Sequence, residues 1–597
     1  MKKLAYQLSF ILLFFLMGGT SVNSQILLRE ASLKKQIENS SLVVEGKVLS
    51  KKSFWNTENN NIYTSNVIEV YKVFKGQPIE TIEVITEGGT IGLSAQIVIP
   101  SLKLNVNYIG VFMLYENNVN LKSKSSKKQF KTYGSLQGFY KYNLDSDAAV
   151  NPFKKKQGIS STFYKEIMSI TKIDFVEVKA YETLNKQNKS SKNAVLVPGA
   201  ITFTPATITA GTKSILTING TGFGGSTGKV SFFNSDDGGL TFVDALGSQI
   251  KTWNNTQITV EVPSEAGTGL IKVTDSGDLS DNSSSSLTVS FSEINVIADN
   301  INPGTDIAYS VQHINDNTSG GYTFSLFTDF NTNINAKTAF IRVLDTWRCE
   351  TGINWVIGPS TTTIDEAVGD GTNVVRFDNG TELETDVLGR FTSYYDGCVA
   401  GGGTTLNWYV SELDIVFDDA ANWNFSSATN STGVTQYDFE SVTLHELGHG
   451  HQLGHVIDTD DVMNYAISNS EEQRALGSSN IVCASAIETR STTIVPCAAT
   501  FVMTNHPCYL SIEEEQLKDA ISIYPNPSKG SFNIKNMSLI NLEKVVIYDI
   551  SGRLISEYNM TNSSRIKTIN LVGVSKGMYF INIQSERGII TKKLVLE

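Results

Sequence analysis

The chain has 597 residues, too many for one hydrophobic core, so we expect about four domains. Its 48 Lys and Arg residues against 60 Asp and Glu residues give a net charge of −12, which argues against nucleic acid or an anionic membrane as a partner. With 47 glycines and no long heptads, the composition is typical of a β-rich extracellular protein with short strands and many turns.

The first 24 residues have the pattern of a secretory signal peptide. Lys2 and Lys3 precede an almost wholly apolar run at 8–17, and small residues follow at Val22-Asn23-Ser24. This run is too short to cross a membrane comfortably, and no other stretch approaches about 18 apolar residues. We therefore expect the mature chain to be exported and to lack a membrane span.

Residues 26–185 alternate apolar and polar side chains in short runs, which predicts one small β domain. Strands are expected at 41–48, 62–74 and 108–114. This segment carries no pattern of catalytic residues, so its role stays open. The polar stretch at 185–193 is typical of a linker.

Residues 197–291 contain a strand-like run at 201–205, the turn sequence Asn219-Gly220-Thr221-Gly222-Phe223-Gly224, and a strand at 258–262. With these motifs the segment resembles an IPT/TIG domain, which implies an immunoglobulin-like β-sandwich. Within it, residues 235–242 are similar to an Asp-box hairpin. Such a hairpin can contact sugar, but Asp and Gly are also good turn residues, and we expect a structural turn.

Residues 292–515 show mixed helical and strand patterns. Strands are expected at 373–377 and 413–417. Asp438 is expected to cap a helix that ends near Gly450. Asn335 is placed to cap an earlier helix, whose apolar side chains recur at helical spacing, namely Phe340, Val343, Leu344 and Trp347.

The later helix carries the most informative motif of the chain, His445-Glu446-Leu447-Gly448-His449, with His455 beyond it. His445 and His449 are four residues apart, so on a helix their imidazoles project from one face and can hold one metal ion. Glu446 is placed to act on a metal-bound water, and His455 supplies a third nitrogen after the helix. Three protein ligands with an open fourth position predict a catalytic zinc site.

The motif resembles that of the metzincin metalloproteases, H-E-x-x-H-x-x-G-x-x-H followed by a methionine turn, over residues 292–480. The resemblance implies a zinc endopeptidase in which Glu446 is the general base and Met463 the turn methionine. It implies three zinc ligands, His445, His449 and His455.

The same resemblance implies further features of the site. Tyr465 becomes a candidate for stabilising the oxyanion, beside the alternative of an aromatic ring that packs under the site. The strand at 413–417 stands where the family has its substrate-pairing edge. Gln452 occupies the position of a family glycine that turns the chain out of the helix at positive φ, where glutamine costs about 1 kcal/mol. Gly450 and Gly454 flank it and are expected to make the bend instead.

The other three histidines have weaker signals. His451 lies two residues after His449, about 200° around a helix, so we expect it to face away from the metal and to lie behind the ligands or at the surface. His313 and His506 are isolated, and we expect neither to bind a metal.

Five cysteines can form disulfides in an exported protein, for example Cys349 with Cys398 and two of the remaining three, leaving one free. The pairing cannot be read from the sequence. The full set is Cys349, Cys398, Cys483, Cys497 and Cys508.

Residues 520–597 alternate short strands with tight turns, which predicts a compact β-sandwich. The motifs at 524–530, 545–553 and 577–581 resemble the C-terminal sorting domain of the type IX secretion system of Gram-negative bacteria. The resemblance implies that this machinery is a partner. It also implies transport across the outer membrane, followed by release or by attachment to the cell surface.

These patterns predict a multidomain protein with an α+β metzincin-like catalytic domain flanked by β-sandwich domains. We expect a secreted zinc-dependent endopeptidase of extracellular proteins, with zinc as cofactor and a calcium requirement left open. The alternative is a cell-surface adhesin or carbohydrate-binding protein with an accessory zinc site, which the Asp-box and sandwich segments favour. A third interpretation is a zinc hydrolase that acts on another bond, although the motif is strongly tied to peptide cleavage.

Overall fold

The computed structural model describes residues 29–597 apart from 118–126, 182–196, 302, 381, 385–386, 401–404, 499, 507–517, 519, 538–540, 562–564 and 586–587. The signal peptide expected at 1–24 and the linker expected at 185–193 lie outside the described residues. The chain divides after Asn505 into two compact units. No described helix is both long enough and apolar enough to cross a membrane.

The N-terminal part of the first unit is mainly β-structure, with helices α1 (Leu33–Asn39) and α2 (Tyr164–Thr171). Its strands are β1 (Leu42–Trp55), β2 (Ile62–Lys75), β3 (Thr81–Glu87), β4 (Gly89–Ile91), β5 (Ser94–Ile99), β6 (Ile109–Glu116), β7 (Gln129–Thr132), β8 (Phe139–Asn143), β9 (Ala148–Val150), β10 (Lys155–Gln157) and β11 (Val176–Glu177). Strands β1, β2, β3, β7 and β6 pair in this order, and β6 pairs again with β1, so five strands close into a ring. The three strands predicted here are confirmed, although β1 extends further than expected.

The next segment is a β-sandwich. Its strands are β12 (Gly199–Thr204), β13 (Thr207–Ala210), β14 (Ile215–Thr221), β15 (Lys229–Asn234), β16 (Phe242–Asp244), β17 (Ile250–Trp253), β18 (Gln257–Glu261), β19 (Ala266–Thr274), β20 (Ser280–Asn282) and β21 (Thr288–Ser292). They form the sheets β12-β14-β18-β17 and β16-β15-β19-β20, and β13 pairs with β21. Alternate side chains of both sheets, such as Leu216 and Phe232, are buried in one apolar cluster, which confirms the sandwich.

The rest of the first unit packs helices against a mixed sheet. Its elements are β22 (Asn295–Ala298), β23 (Ile307–Gln312), β24 (Tyr322–Leu326), α3 (Thr328–Thr332), α4 (Ile334–Thr351), β25 (Trp355–Ile357), β26 (Asn373–Phe377), β27 (Gly389–Ala400), β28 (Thr405–Phe417), β29 (Trp423–Asn424), β30 (Tyr437–Asp438), α5 (Phe439–Gly450) and α6 (Ser478–Thr493). The sheet has the order β25-β24-β26-β28-β27-β5-β4. Helices α4 and α5 are joined where the Trp347 indole N–H donates a hydrogen bond of 3.0 Å to the Leu444 carbonyl.

Of the two predicted helix caps, one is right and one is wrong. Asp438 caps α5 as expected, and its carboxylate accepts a hydrogen bond of 3.0 Å from the Ser441 N–H. The expected cap of α4 is wrong, because Asn333 and not Asn335 accepts from the Ala336 N–H, at 3.2 Å. Asn335 lies inside the first turn, where its side chain is too far along the helix to serve as the cap.

The substrate-pairing edge expected at 413–417 is also wrong. Strand β28 contains these residues and is paired on both sides, through Ile415 with Val375 of β26 and with Phe391 of β27. All five residues are buried, Asp414 included, because both faces of an interior strand are covered. Beyond β28 lies β27, whose other side pairs with β5 of the N-terminal part.

The suggested pairing of Cys349 with Cys398 is wrong as well. Cys398 forms a disulfide with Cys497 across a separation of 99 residues, and Cys349 is bonded elsewhere. The reason lies in the fold, which brings the Pro496 carbonyl within 2.9 Å of the Asn407 side-chain amide, beside β27. Cys483 is a free, buried thiol, and Cys508 lies outside the described residues.

The second unit is the C-terminal sandwich, with strands β31 (Ile521–Tyr524), β32 (Ser531–Asn536), β33 (Leu542–Asp549), β34 (Leu554–Asn559), β35 (Ile566–Asn570), β36 (Gly577–Ser585) and β37 (Gly588–Leu596). Its sheets are β31-β32-β35 and β34-β33-β36-β37. Apolar side chains of both sheets, among them Phe532 and Ile581, form one buried cluster. The sandwich predicted for this segment is confirmed.

Candidate metal centre

Three histidines converge at the end of α5. His445 and His449 lie on one face of the helix, and His455 reaches them from the following loop. One ring nitrogen of each lies within 4.8 Å of the others, and the Nε2 atoms of His449 and His455 are 3.1 Å apart. All three side chains are buried. The three residues predicted to hold zinc therefore lie together.

The hydrogen bonds of His445 and His449 show which ring nitrogen of each is free to bind a metal. Nδ1 of His445 lies 2.7 Å from the Val462 carbonyl, and Nδ1 of His449 lies 2.9 Å from the Leu453 carbonyl. A carbonyl only accepts hydrogen bonds, so each Nδ1 carries the proton and each Nε2 keeps its lone pair. Nε2 of His445 has no hydrogen-bond partner among the described residues. Such a set of inward lone pairs fits a divalent cation.

Burial keeps the imidazoles of His445 and His449 neutral, which is the form that binds a metal. Burial, with a further contribution from His455, lowers the pKa of His445 to about 3. Burial and the two neighbouring rings also lower the pKa of His449 well below its ordinary value.

Glu446 is the buried acid of the motif. Its side chain is fully buried, and neither carboxylate oxygen has a hydrogen-bond partner within the described part of the chain. Burial raises the pKa of Glu446 well above its ordinary value. A carboxylate held without partners fits the task of taking a proton from a bound water.

The bend that carries His455 back to the other histidines is made by Gln452, which corrects the expectation that Gly450 and Gly454 would make it. Gln452 has φ of +73°, in the left-handed region. Its side chain holds this conformation: Oε1 accepts a hydrogen bond of 2.7 Å from the Tyr395 hydroxyl, and the amide donates one of 3.0 Å to the Gly450 carbonyl. These buried hydrogen bonds offset the steric cost of the backbone conformation.

Residues 292–294, which join the sandwich to the mixed sheet, form backbone hydrogen bonds with the same bend. The Ile294 N–H donates a hydrogen bond of 2.9 Å to the Gln452 carbonyl, and the Gly454 N–H donates one of 2.8 Å to the Ser292 carbonyl. The loop before His455 is therefore held from both sides by backbone outside the histidine motif.

Met463 lies beneath the helix, as expected of the turn methionine. It is buried, and its sulfur lies so close to Gly448 that a side chain there would overlap it. The Val456 N–H donates a hydrogen bond of 3.0 Å to the Met463 carbonyl, which ties the turn to the residue after His455. Methionine fills such irregular gaps well.

Tyr465 is half-buried and its ring lies against Gly238, in the turn between β15 and β16 of the sandwich. Burial, and to a lesser degree the charge of Asp237, raises the pKa of the Tyr465 phenol. Its hydroxyl thus stays protonated and able to donate a hydrogen bond at neutral pH.

Asp236 is a residue of the site that the sequence did not indicate. Its Oδ1 accepts a hydrogen bond of 2.8 Å from Nδ1 of His455. Lys103 lies 3.7 Å from its other oxygen. Burial alone would raise the pKa of Asp236, but the charge of Lys103 and the hydrogen bond from His455 outweigh it and lower this pKa. The sequence gives one hint: the Asp-box has two adjacent acids, whereas only Asp237 accepts the hydrogen bond from Thr241 that stabilises the turn.

The remaining histidines take no part in the convergence. His451 faces away from the site as expected, but it is fully buried against Trp347, His313 and Trp355 and does not lie at the surface. His313 is likewise fully buried. His506 opens the second unit.

A second group of metal-type ligands consists of Asp378, Asp418 and Asp419, whose oxygens lie within 4.8 Å of one another. Asp418 forms an ion pair with Arg29, and Asp378 accepts a hydrogen bond of 3.2 Å from the Asp419 N–H. An arginine thus pairs with one of the three acids, and the calcium requirement stays open.

Family models match three separate parts of the chain. Residues 201–292 match the IPT/TIG domain, and residues 522–597 match the secretion system C-terminal sorting domain. Residues 401–484 match Matrixin. The matrixin match contains the histidine motif and Met463, whereas Asp236 and β5 lie outside it. These matches support the predicted combination of a metalloprotease region, a TIG domain and a type IX sorting domain.

Two solved structures show weak likeness to the chain. A DUF3244 family protein from Bacteroides vulgatus with an immunoglobulin-like β-sandwich fold is 18% identical, with a TM-score of 0.12, over 13% of this chain and 85% of that chain. The BSP domain of a biofilm associated protein is 9% identical, with a TM-score of 0.16, over 93% of this chain and 81% of that chain. Likenesses this low carry no conclusion about function. No curated protein matches the chain significantly.

Proposed function

We propose that the chain is a secreted zinc-dependent endopeptidase that hydrolyses peptide bonds of extracellular proteins. The observation that carries this proposal is the convergence of three imidazoles with the Glu446 carboxylate, which has no hydrogen-bond partner among the described residues, next to the first of them in the motif. The matrixin match at 401–484 supports a metalloprotease, and the sorting-domain match at 522–597 supports export, with attachment to the cell surface or release.

In this proposal His445, His449 and His455 hold the zinc ion. When bound, zinc lowers the pKa of its water from about 15.7 to about 7 and polarises the scissile carbonyl. Glu446 takes the proton of the attacking water and passes it to the leaving amine. The protonated hydroxyl of Tyr465 donates a hydrogen bond to the oxyanion.

The substrate in this proposal is an extended peptide that adds to a sheet edge. We assign the pairing strand to β27, because Gly389 at its start lies against Glu446: a Cβ there would be 3.0 Å from Oε1. The side of β27 away from β28 is occupied by β5, so an extended peptide would take the place of β5. We also propose the domain boundaries 26–185, 197–291, 292–515 and 520–597.

The carbohydrate-binding alternative is weaker because both acids of the Asp-box are engaged within the chain. Asp237 accepts a hydrogen bond of 3.2 Å from the Thr241 N–H, and Asp236 accepts one from His455. The hairpin therefore serves as a structural turn and as a contact to the metal centre.

The test compares the wild-type chain with Glu446→Gln in a casein zymogram, with zinc content measured on both proteins. We expect Glu446→Gln to retain one zinc ion and to lose casein cleavage, because only the general base is removed. Glu350→Gln, the same change at an exposed position of α4, serves as the control and should cleave like wild type. Equal clearing by Glu446→Gln and wild type would refute the proposed mechanism.

A further inference from the structure

The carboxylate of Asp236 belongs to the sandwich, yet it contacts the metal centre. Asp236 and His455 are 219 residues apart in sequence, and their Oδ1 and Nδ1 atoms are 2.8 Å apart. Asp236 lies in the short turn Ser235–Asp237, which its neighbour Asp237 stabilises through hydrogen bonds from the N–H and the hydroxyl of Thr241. The turn therefore presents the Asp236 carboxylate from a fixed backbone.

His455 differs from the other two histidines in what holds it. His445 and His449 are fixed by the helix and bonded to backbone carbonyls, whereas His455 follows the left-handed bend at Gln452. A carboxylate on Nδ1 fixes the tautomer and the ring plane, and it makes the other ring nitrogen a stronger electron donor. Of the three rings, His455 is the one whose Nδ1 partner is a carboxylate and not a backbone carbonyl.

We propose that Asp236 is a positioning residue for the zinc centre, supplied by the IPT/TIG-like sandwich to the third ligand of the catalytic region. This inference rests on the proposed function. Lys103 pairs with the other oxygen of Asp236, at 3.7 Å, and with Glu265 outside the metal centre, at 3.2 Å.

The test measures zinc dissociation constants of the full chain by competition with a chromogenic chelator. We expect Asp236→Ala to weaken zinc binding roughly 10- to 100-fold. Asp236→Asn should fall between Ala and wild type, because the amide oxygen still accepts from Nδ1. Glu265→Gln is the matched control, because it also contacts Lys103 but touches no histidine, and it should bind zinc like wild type.

The visible spectrum of the cobalt-substituted protein gives a second readout. A change in the ligand-field bands of Asp236→Ala, with the bands of Glu265→Gln unchanged, is expected from a reoriented His455 ring. Wild-type zinc affinity and an unchanged spectrum in Asp236→Ala would overturn the inference, as would equal weakening in Glu265→Gln. If wild type cleaves casein and Asp236→Ala binds zinc equally well, only this inference fails. If wild type binds no zinc, the proposed function fails with it.

A separate observation concerns the sheet edge beside the metal centre. Strand β27 passes α5, with Phe391 against Gly450. Its outer side is filled by β5, in the antiparallel register Phe391 with Ile99 through Asp396 with Ser94. Because strand addition needs a free edge, the chain's own N-terminal part occupies the place that an extended peptide would take.

The contact continues on both sides of β5. Ala95 is buried in the apolar cluster of the catalytic region. The Gly397 N–H donates a hydrogen bond of 2.7 Å to the Leu93 carbonyl, and Lys103 beyond β5 reaches Asp236. Residues 93–99 therefore line β27, and Lys103 shortly after them contacts the acid bonded to the third histidine.

We infer that β5 keeps the metal centre closed to extended peptides until it leaves β27. This second inference does not depend on Asp236, but it also rests on the proposed function. It gives the N-terminal region a role in latency without a cysteine, since the first cysteine of the chain is Cys349.

The test uses substitutions that loosen or lock β5. Ala95→Glu places a charge in an apolar cluster, so β5 should leave the edge and kcat/KM for a fluorogenic peptide should rise about tenfold or more. A folding failure cannot mimic this gain. Leu49→Glu, at a side chain of β1 that is 45% exposed, is the matched control and should leave the rate unchanged.

The locking variant combines Ile97→Cys with Ser393→Cys, which face each other in the register. Oxidation should abolish cleavage and reduction should restore it, with wild type treated identically. When wild type cleaves, overturning results are an Ala95→Glu protein that holds zinc but is no faster than wild type, or a cross-linked protein that cleaves as fast as its reduced form. If every variant holds zinc and none cleaves, the proposed function fails instead.

Discussion

The sulfur of Met463 occupies the space that a side chain at Gly448 would need. The helix that carries His445 and His449 can approach the turn this closely only because position 448 has no Cβ. The glycine in the middle of the metal-binding helix is thus explained by packing against the turn.

The first prediction follows from this contact. Gly448→Ala should lower the free energy of unfolding by about 1–3 kcal/mol, because overpacking against Met463 outweighs the helix propensity gained. In urea unfolding, the double variant Gly448→Ala, Met463→Ala should lose less free energy of unfolding than the two single variants lose together. Gly225→Ala, where an added Cβ meets no atom, is the control. If the losses of the two single variants simply added up in the double variant, the contact between positions 448 and 463 would be contradicted.

A second prediction concerns the left-handed residue Gln452. Gln452→Gly relieves the backbone strain but loses the hydrogen bonds with Tyr395 and Gly450, whereas Gln452→Ala loses the bonds and keeps the strain. We therefore expect Ala to be about 1 kcal/mol less stable than Gly, and both to be less stable than wild type. Urea unfolding of the three proteins checks this order. An alanine variant as stable as the glycine variant would show that position 452 is not strained.

The third prediction is a pH dependence that arises from His313. Burial, followed by the charges of His451 and Arg490, lowers the pKa of His313 well below 6.5. The folded state therefore holds this ring neutral, and its contribution to stability is present above pH 6.5 and is lost as pH falls below that value. Below pH 6 the slope of unfolding free energy should be smaller in His313→Leu than in wild type, by up to about 1.4 kcal/mol per pH unit. Measurements in chelator separate this effect from metal binding, and identical slopes would contradict it.

The fourth prediction concerns the disulfide between Cys398 and Cys497. It closes a loop of 99 residues, so replacing both cysteines by serine should destabilise the first unit by roughly 2–4 kcal/mol. Denaturant unfolding with and without reductant checks the value. Because the serine protein keeps the disulfide of Cys349, reductant should still lower its stability, but by less than that of wild type. An equal loss of stability in both proteins would speak against the bond between Cys398 and Cys497.

Features set by neighbours in sequence were predictable. The cap at Asp438, the shared face of His445 and His449, and the turn at Met463 depend on spacings within one helix or loop. The cap of α4 was misplaced by two residues, because Asn333 and Asn335 have equal capping ability and only the path of the preceding chain selects between them.

Features set by distant segments were not predictable. The sequence shows that four of residues 413–417 are apolar but not that β27 lies outside them, since that depends on strand order. Gln452 was misjudged because the hydrogen bond that compensates its strain comes from Tyr395, which lies 57 residues away. Asp236 has no local pattern that points to His455.

The backbone hydrogen bonds from Ile294 to Gln452 and from Gly454 to Ser292 have a consequence for how such a chain can be recombined. A chimaera joined at residue 292 would carry the sandwich of another protein. It would also replace the strand end whose carbonyl, at Ser292, bonds to the loop before His455. Exchange of the sandwich between related proteins should therefore yield active chimaeras only when the donor sandwich has a matching strand end and an acid at the tip of its β15–β16 hairpin.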